Sequence, residues 1–241
     1  TDQRGYGISV RGFDSSETVF YRDGLQMKGS GYAAFLPLET YGAERLEVLR
    51  GPASVLYGQN STGGLVNYVT KRPSDEPLHE IALGIGNFDR YEGKFDLSGP
   101  IDEEGTLLYR LTGLARDSDT QVDFVNDDRV FIAPAVTWKP TEDTTLTLLG
   151  HYQHDNAGWA IQFYPASGTV LDNPNGKIPA HTFTGEPDFD KFVTDQYSVG
   201  YLFEHNFDEV FTVRQNARYS SFDNYSEVVY GNGLVDDRTL D

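Results

Sequence analysis

Apolar and polar residues alternate with a period of two from about residue 78 onward, and this pattern restricts the fold of the 241-residue chain more than any other feature. Tyr91, Phe95 and Leu97, for example, fall on one side of an extended chain, while Lys94 and Asp96 fall on the other. The alternation recurs, or an apolar run stands in its place, at residues 81–85, 107–116, 130–138, 146–152, 193–204 and 211–220. The sequence therefore predicts about seven antiparallel strands.

The length and the two faces of these segments are typical of a membrane β-barrel. Several segments approach the ~9–11 residues that a membrane-spanning β-strand needs, whereas strands of soluble proteins mostly have about 5–6. One face is apolar, and the other is polar and carries arginines such as Arg110 and Arg214, as in a barrel with lipid outside and water inside. Short and long connections also alternate, as they do in outer-membrane barrels, except that the first external connection, near residues 87–89, is short. We therefore predict an all-β transmembrane barrel portion.

The predicted barrel portion is incomplete. An open sheet edge in lipid would leave backbone groups without hydrogen bonds, and large plugged barrels have about 22 strands. We therefore expect the chain to be an internal fragment of a longer protein. The alternative from another class is a soluble β-rich carbohydrate-binding module or hydrolase, and a hydrolase would need a carboxylate pair in one cleft.

The charge of the chain divides it in two. Residues 1–73 hold 8 Lys and Arg against 7 Asp and Glu, whereas residues 74–241 hold 11 against 30. We place a domain boundary at this change of composition. An acidic second part argues against nucleic acid as a partner, because nucleic-acid binding calls for a basic surface. The chain contains no cysteine, so disulfides and thiolate chemistry are excluded.

Residues 1–73 carry the signals of a small α+β domain. Two short strands are predicted to flank Asp23 and Gly24 in a hairpin, because an Asp-Gly pair suits a tight two-residue turn. Further strands are predicted at residues 46–50 and 65–70, and short helical segments at 38–41 and 53–57.

The same segments resemble those of a known family. LRGPASVLYG at residues 49–58 and GGLVNYVTKRP at residues 63–73 resemble the plug domain of TonB-dependent outer-membrane receptors. ISVRGF at 8–13 and YRDGL at 21–25 resemble two earlier plug segments in the same order. Three later segments resemble barrel strands of ferric-siderophore receptors, namely YRLTGLAR at 109–116, IAPAVTW at 132–138 and FTVRQNAR at 211–218. The resemblance is nearest to the ferrichrome, or hydroxamate, type and covers essentially the whole chain.

This resemblance implies a domain division and a function. Residues 1–73 would be the C-terminal part of a plug domain, and residues 74–241 the N-terminal strands and loops of the barrel. The protein would sit in outer-membrane lipid, bind a ferric siderophore, and import it with energy from the TonB–ExbB–ExbD complex. That complex would be reached through a segment outside this chain. The siderophore would carry the iron, with no further cofactor. A cobalamin or an oligosaccharide is the alternative cargo.

The resemblance also implies how the plug is seated in the barrel. Arg11 and Arg50 match plug arginines that lie buried against glutamates of the barrel wall, and Glu47 is a near neighbour. The matching barrel carboxylates are expected beyond Asp241.

The loop at residues 26–32 matches the plug apex that contacts the siderophore in ferrichrome-type receptors. Tyr32 is the best single candidate, because a phenol offers both apolar area and a hydrogen bond. Aromatic residues of the long connection after residue 156 are expected to line the mouth of the site. The predicted ligand-binding residues are Gln26, Lys28, Gly31, Tyr32, Trp159, Phe163 and Tyr164.

The sequence shows no pattern typical of catalysis or of a metal site. His151 and His154 are three residues apart in a predicted strand, so their side chains face opposite sides. No Gly-x-Ser-x-Gly elbow occurs, and residues 51–58 lack the Lys-Ser/Thr of a phosphate-binding loop. We therefore predict a protein that is not an enzyme and that holds no metal of its own.

Overall fold

The computed structural model describes residues 9–10, 13–14, 20–27, 37–51, 57–58, 63–158 and 162–240. These residues form a seven-stranded sheet, which we call the wall sheet, a four-stranded sheet, and a small ladder of β1 (Ser9–Val10) and β2 (Phe13–Asp14). We call the described residues up to Pro73 the N-terminal unit. Among the described residues, no helix has the length and apolar character needed to cross a membrane.

The four-stranded sheet of the N-terminal unit contains both strand directions. Its order is β4-β3-β6-β5, with β3–β4 and β5–β6 antiparallel and β3–β6 parallel. The strands are β3 (Phe20–Arg22), β4 (Leu25–Gln26), β5 (Ala43–Arg50) and β6 (Gly64–Thr70). They confirm the strands predicted at 46–50 and 65–70 and the predicted hairpin. Asp23 and Gly24 have φ values of 50° and 80°, the left-handed conformation that a type I′ turn requires at both positions.

The helical part of the N-terminal unit is small within the described residues. The short helix predicted from 38–41 is a 3-10 turn at Thr40–Gly42. Its cap is the carboxylate of Glu39, which accepts a hydrogen bond from the Tyr41 N–H at 2.9 Å. Apart from Tyr57, the helical turn predicted at 53–57 lies outside the described residues.

The wall sheet is an up-and-down meander in which each strand pairs antiparallel with the next along the chain. Its strands are β7 (Leu78–Gly86), β8 (Arg90–Pro100), β9 (Leu107–Asp117), β10 (Asp128–Thr141), β11 (Thr144–Asn156), β12 (Lys191–Asn206) and β13 (Thr212–Glu227). The seven predicted antiparallel strands are therefore confirmed in the described part of the chain.

The two faces of the wall sheet differ as predicted. On one face Ile81, Leu83 and Ile85 of β7 are 78%, 87% and 86% exposed. The same face carries the exposed side chains of Tyr91, Val130, Ile132, Val136, Trp138, Leu148, Tyr152, Tyr197, Val199, Val213 and Tyr219. The opposite face is largely polar, and the N-terminal unit covers part of it. An exposed apolar face of this extent suits lipid rather than water.

Apart from the short turn at 87–89, the connections at the two ends of the wall sheet differ in length, which was also predicted. Residues 101–106, 142–143 and 207–211 make short turns at one end, which we call the short-turn end. Residues 118–127 and 157–190 make long connections at the other, the long-connection end. β13 extends beyond the segment 211–220 predicted from the sequence, because it stays paired with β12 as far as Glu227, opposite Lys191, and the tail follows Glu227.

The predicted domain boundary after Pro73 stays a prediction. β6 ends at Thr70 and β7 begins at Leu78, and the residues between them bond to the wall sheet. The Ser74 N–H donates to the Ser98 hydroxyl at 3.0 Å.

Gly42 marks a close approach between the N-terminal unit and the wall sheet. A Cβ at this position would lie 2.5 Å from the Tyr68 hydroxyl and closer still to the Phe131 ring of β10. In Gly42→Ala one of these groups must move. We therefore expect the free energy of opening of the β6 amides, measured by hydrogen exchange in the complete protein, to fall by about 1–3 kcal/mol. Gly84→Ala is the matched control, because a Cβ there would meet Glu92 only at 3.9 Å. An equal fall in the free energy of opening in Gly42→Ala and Gly84→Ala would contradict the close approach at Gly42.

Candidate functional site

Arg129 of β10 joins the N-terminal unit to the wall sheet through two carboxylates. Its Nη1 donates to Glu39 Oε2 at 2.9 Å, and its Nε donates to Asp155 of β11. The side chains of Arg129, Glu39 and Asp155 are only 7%, 7% and 3% exposed. Asp155 also accepts hydrogen bonds from Gln153 at 2.8 Å and Thr194 at 3.1 Å. Because a buried charge needs its partners, this cluster is fully satisfied only while the N-terminal unit is seated.

Asp23, in the turn between β3 and β4, forms a second junction. Its fully buried carboxylate pairs with Arg218 of β13 and accepts hydrogen bonds from the Thr70 N–H and hydroxyl at 2.9 Å. The backbone carbonyl of Arg22 accepts from Arg218 at 3.0 Å, and that of Asp23 accepts from Asn216. The wall sheet therefore binds the β3–β4 hairpin through the Asp23 side chain and through the backbone carbonyls of Arg22 and Asp23.

Asp96 of β8 forms a third junction, in which the wall sheet supplies the carboxylate. Lys71 of the N-terminal unit lies 2.7 Å from it, and Arg110 of β9 contacts it with Nε and Nη2 at 2.9 and 2.8 Å. Arg110 also donates through Nη1 to the Arg72 carbonyl at 2.9 Å and to Glu44 at 3.1 Å. A bidentate pair of this kind fixes orientation as well as charge.

Of the predicted seating residues, the structure describes Glu47 and Arg50, and neither takes part in these three junctions. Arg11 lies outside the described residues, and Arg50 is exposed at the end of β5. Glu47 bonds within the N-terminal unit, accepting from Asn67 at 2.9 Å and from Arg45 at 2.8 Å. The hydrogen bond from Asn67, followed by that from Arg45, lowers the pKa of Glu47. Pairing of Arg11 and Arg50 with carboxylates beyond Asp241 stays a prediction.

Asp23, Glu39 and Arg129 are seating residues that were not predicted from the sequence. A partial signal exists, since Arg110 and Arg218 stand on the polar face of predicted strands. Asp23 has the properties of a turn residue and Glu39 those of a cap, and each has that role as well. Their second role depends on which wall arginine lies opposite, and the local sequence does not contain that information.

The structure describes three of the predicted ligand-binding residues. Gln26 ends β4 and is half-buried, and Phe163 and Tyr164 belong to the connection 157–190. Outside the described residues lie Lys28, Gly31, Tyr32 and Trp159. The predicted contact between Tyr32 and a ligand therefore stays a prediction.

Pro37 follows the predicted apex loop in sequence and contacts the wall sheet near the long-connection end. Its carbonyl oxygen accepts hydrogen bonds from Gln153 Nε2 at 3.1 Å and Gln196 Nε2 at 2.7 Å, and both glutamines are buried. These glutamines stand on β11 and β12, close to the strand ends that the connection 157–190 joins. Pro37 and the connection that holds Phe163 and Tyr164 therefore lie at the same end of the sheet.

Phe163 and Tyr164 have different surroundings. Phe163 is 48% exposed, and its ring centroid lies 5.4 Å from that of Tyr230 in the tail. Tyr164 donates its hydroxyl hydrogen to the Thr182 carbonyl at 2.6 Å, and burial raises its pKa. Phe163 is thus available to a ligand, whereas Tyr164 also holds the connection 157–190 together.

The histidines do not combine into a metal site in the described part of the chain. No group of three or more His, Asp or Glu that could hold a metal ion occurs there. His151 packs against Phe131 on the polar face, with ring centroids 5.5 Å apart, whereas His154 Nδ1 lies 2.9 Å from Asp195 on the opposite face. The prediction that His151 and His154 face opposite sides is confirmed.

Comparison with known families and curated proteins identifies similar chains. Residues 1–65 match the family model described as TonB-dependent Receptor Plug Domain. The chain is 38% identical over 232 residues to the ferrichrome outer membrane transporter/phage receptor of Escherichia coli (strain K12), covering 95% of this chain and 31% of that protein. It is 36% identical over 235 residues to the ferrioxamine B receptor of Salmonella typhimurium (strain SL1344), covering 97% and 34%. The chain thus spans about a third of the length of these relatives.

A solved structure has a similar fold. The closed form of the ferric-catecholate import receptor Fiu from K12 E. coli matches with a TM-score of 0.85 and 23% sequence identity. The match covers 96% of this chain and 33% of that one. At this identity the likeness concerns the fold alone.

The Arg129–Glu39 pair offers a test of the seating contacts. We expect Arg129→Met to lower the free energy of opening of the N-terminal unit by about 3–5 kcal/mol, because it leaves two buried carboxylates without their cation. Adding Glu39→Gln should cost less in this background than alone, since the two side chains interact directly. Hydrogen exchange of the β6 amides in the complete protein measures both effects.

The exposed pair Arg214–Glu204 is the matched control. Its side chains are 70% and 42% exposed, so its removal should change the same free energy by only about 0–1 kcal/mol. If the effects of the Arg129 and Glu39 substitutions on the free energy of opening were strictly additive, that result would contradict a direct interaction between the two side chains.

Proposed function

Since this chain belongs to the TonB-dependent receptors of the bacterial outer membrane, we propose that the whole protein binds a ferric siderophore outside the cell and imports it. The observation that carries this proposal is the N-terminal unit seated on the polar face of a sheet whose other face is exposed and apolar. In a closed barrel this unit would fill the lumen. A ligand bound at the long-connection end then passes only when the unit moves or rearranges.

The proposed energy source is the TonB–ExbB–ExbD complex, acting on a segment outside this chain. The junctions at Arg129, Asp23 and Asp96 oppose movement of the N-terminal unit. They consist of ion pairs and hydrogen bonds, whose groups regain hydrogen bonds to water once separated. An interface of this kind suits a unit that must leave its seat and return. The apolar face of the wall sheet is proposed to contact outer-membrane lipid.

We propose a ferric hydroxamate as the cargo. The relatives at 38% and 36% identity are named for ferrichrome and ferrioxamine, whereas the relative named catecholate siderophore receptor Fiu is 27% identical. The siderophore holds the iron, so the protein needs no metal ligand and no cofactor of its own. These relatives are named as transporters or receptors, and no catalytic step is part of the proposal.

The proposed contacts come from the apex loop and the connection 157–190. Pro37 and Phe163 lie at the same end of the wall sheet, which supports a site between these two segments. Tyr32 is proposed to supply a hydrogen bond and an aromatic surface, and Phe163 an aromatic surface. The remaining proposed contacts are Gln26, Lys28, Gly31, Trp159 and Tyr164.

A binding titration tests the cargo and the site together. The complete protein in detergent is titrated with ferric ferrichrome while its tryptophan and tyrosine fluorescence is followed. We expect saturable quenching, with an affinity about tenfold weaker in Tyr32→Ala, which corresponds to about 1.4 kcal/mol. Tyr32→Phe should lie between Tyr32→Ala and the unmodified protein, because it keeps the aromatic surface and loses the hydroxyl.

Phe207→Ala is the control for this titration. Phe207 is 62% exposed in the turn between β12 and β13, at the short-turn end, so its loss should leave the affinity unchanged. A response to a catecholate complex or a cobalamin, but not to ferrichrome, would replace the proposed cargo. Equal affinity in Tyr32→Ala and the unmodified protein would contradict the proposed site.

A further inference from the structure

Arg22, at the end of β3, is a buried cation with donors that bond to nothing in the described part of the chain. The residue is 4% exposed, and neither its Nε nor its Nη2 has a hydrogen-bond partner there. Its guanidinium carbon lies 5.2 Å from the centroid of the Tyr68 ring, a contact that favours a cation but accepts no hydrogen bond in the guanidinium plane. Burial is the main cause that lowers the pKa of Arg22 to about 10; Arg218 acts in the same direction, and Tyr68 and Asp23 act against it.

The wall sheet places a second unpartnered nitrogen close by. His151 of β11 is half-buried as a residue, but its Nε2 is buried and has no hydrogen-bond partner among the described residues. Arg22 and His151 therefore present buried polar nitrogens from the two sides of one interface. Such groups are rare in folded proteins, and each calls for a hydrogen-bond partner or an unseen bound species.

A small cavity separates these groups. Arg22, His151, Ser198 and Arg218 belong to its polar lining, together with Tyr68, Thr70 and Lys71, and much of the rest comes from apolar residues of β10 and β11. The space open to the centre of a water-sized sphere is about 20 Å³. That volume is sufficient for one small species and too small for an organic ligand.

The charges around this cavity do not balance. Arg22 and Arg218 bring two guanidinium groups, and the nearby carboxylate of Asp23 is paired with Arg218. Lys71 also lines the cavity, but its ammonium is matched by Asp96 at 2.7 Å. One positive charge is left without a partner, and an isolated buried charge is costly. A water molecule would satisfy hydrogen bonds but would leave this charge uncompensated.

We propose that the cavity binds a single halide-sized anion, with chloride as the natural occupant. The anion accepts hydrogen bonds from Arg22 Nε and Nη2 and lies next to Arg218, with His151 and Ser198 completing its surroundings. Because Arg22 belongs to the N-terminal unit and the other three residues to the wall sheet, the anion bridges the two. This proposal does not depend on the cargo, so it holds or fails separately from the proposed function.

Bromide replaces chloride and can be located by its anomalous scattering. Crystals of the complete unmodified protein are grown or soaked in sodium bromide, and data are collected at the bromine absorption edge. We expect an anomalous peak within hydrogen-bond distance of Arg22 Nε or Nη2. A cavity that holds only water, or a carboxylate from elsewhere in the complete protein bonded to Arg22, would overturn the proposal.

The dependence of stability on the anion gives a second, independent test. The unfolding midpoint of the N-terminal unit in the complete protein is measured in chloride, bromide and gluconate salts at equal ionic strength. Gluconate serves as the comparison anion because it is too large for the cavity. We expect halides to raise the midpoint in a saturable manner, as ligands of the folded state do. Arg22→Met should abolish this dependence.

Arg45→Met is the matched control, because the Arg45 side chain is 60% exposed and lies away from the cavity. It should keep the halide dependence of the unmodified protein. The same halide dependence in Arg22→Met would overturn the proposal. If Arg22→Met does not fold, the bromide experiment on the unmodified protein decides alone.

Discussion

A charged side chain buried between two protein layers fixes how those layers can sit, and Arg129 has this position here. Its guanidinium is satisfied by Glu39 from the N-terminal unit and by Asp155 from the wall sheet. A displaced unit would leave two buried charged groups, Arg129 and Glu39, incompletely paired, so an alternative seating is strongly disfavoured. Arg218 with Asp23 and Lys71 with Asp96 apply the same constraint at two other places. The interface is thus defined by charge pairing, with a smaller apolar contact of Gly42 against Phe131.

The period of two in the wall strands produces both the membrane-facing surface and this charged interface. Every second side chain of β10, for example, is apolar and exposed, as at Val130 and Ile132, while Arg129 and Phe131 between them point to the N-terminal unit. A shift of one residue in register would turn the arginines toward lipid and the apolar residues toward the unit. Membrane placement and seating of the N-terminal unit therefore depend on the same register.

Much of the fold was predictable because it depends on local sequence. The strands, their two faces and the hairpin at Asp23 and Gly24 follow from alternation and from turn residues close together in the chain. The pairing of charges was not predictable in this way, because Arg129 and Glu39 are 90 positions apart and Arg218 and Asp23 are 195 apart. Each of these residues also has an ordinary local explanation, as a turn, a cap or a strand residue. Only the packed structure shows which carboxylate meets which arginine.

The most direct test of this account is an experimental structure of the complete protein in detergent or a lipid disc, at a resolution that shows side chains. We expect the Arg129 guanidinium within 4 Å of the Glu39 carboxylate, and that of Arg218 within 4 Å of the Asp23 carboxylate, as found here. Both contacts should persist in a closed barrel, because they are already buried. Arginines that point instead into a water-filled lumen, or that pair only with other wall residues, would contradict the account.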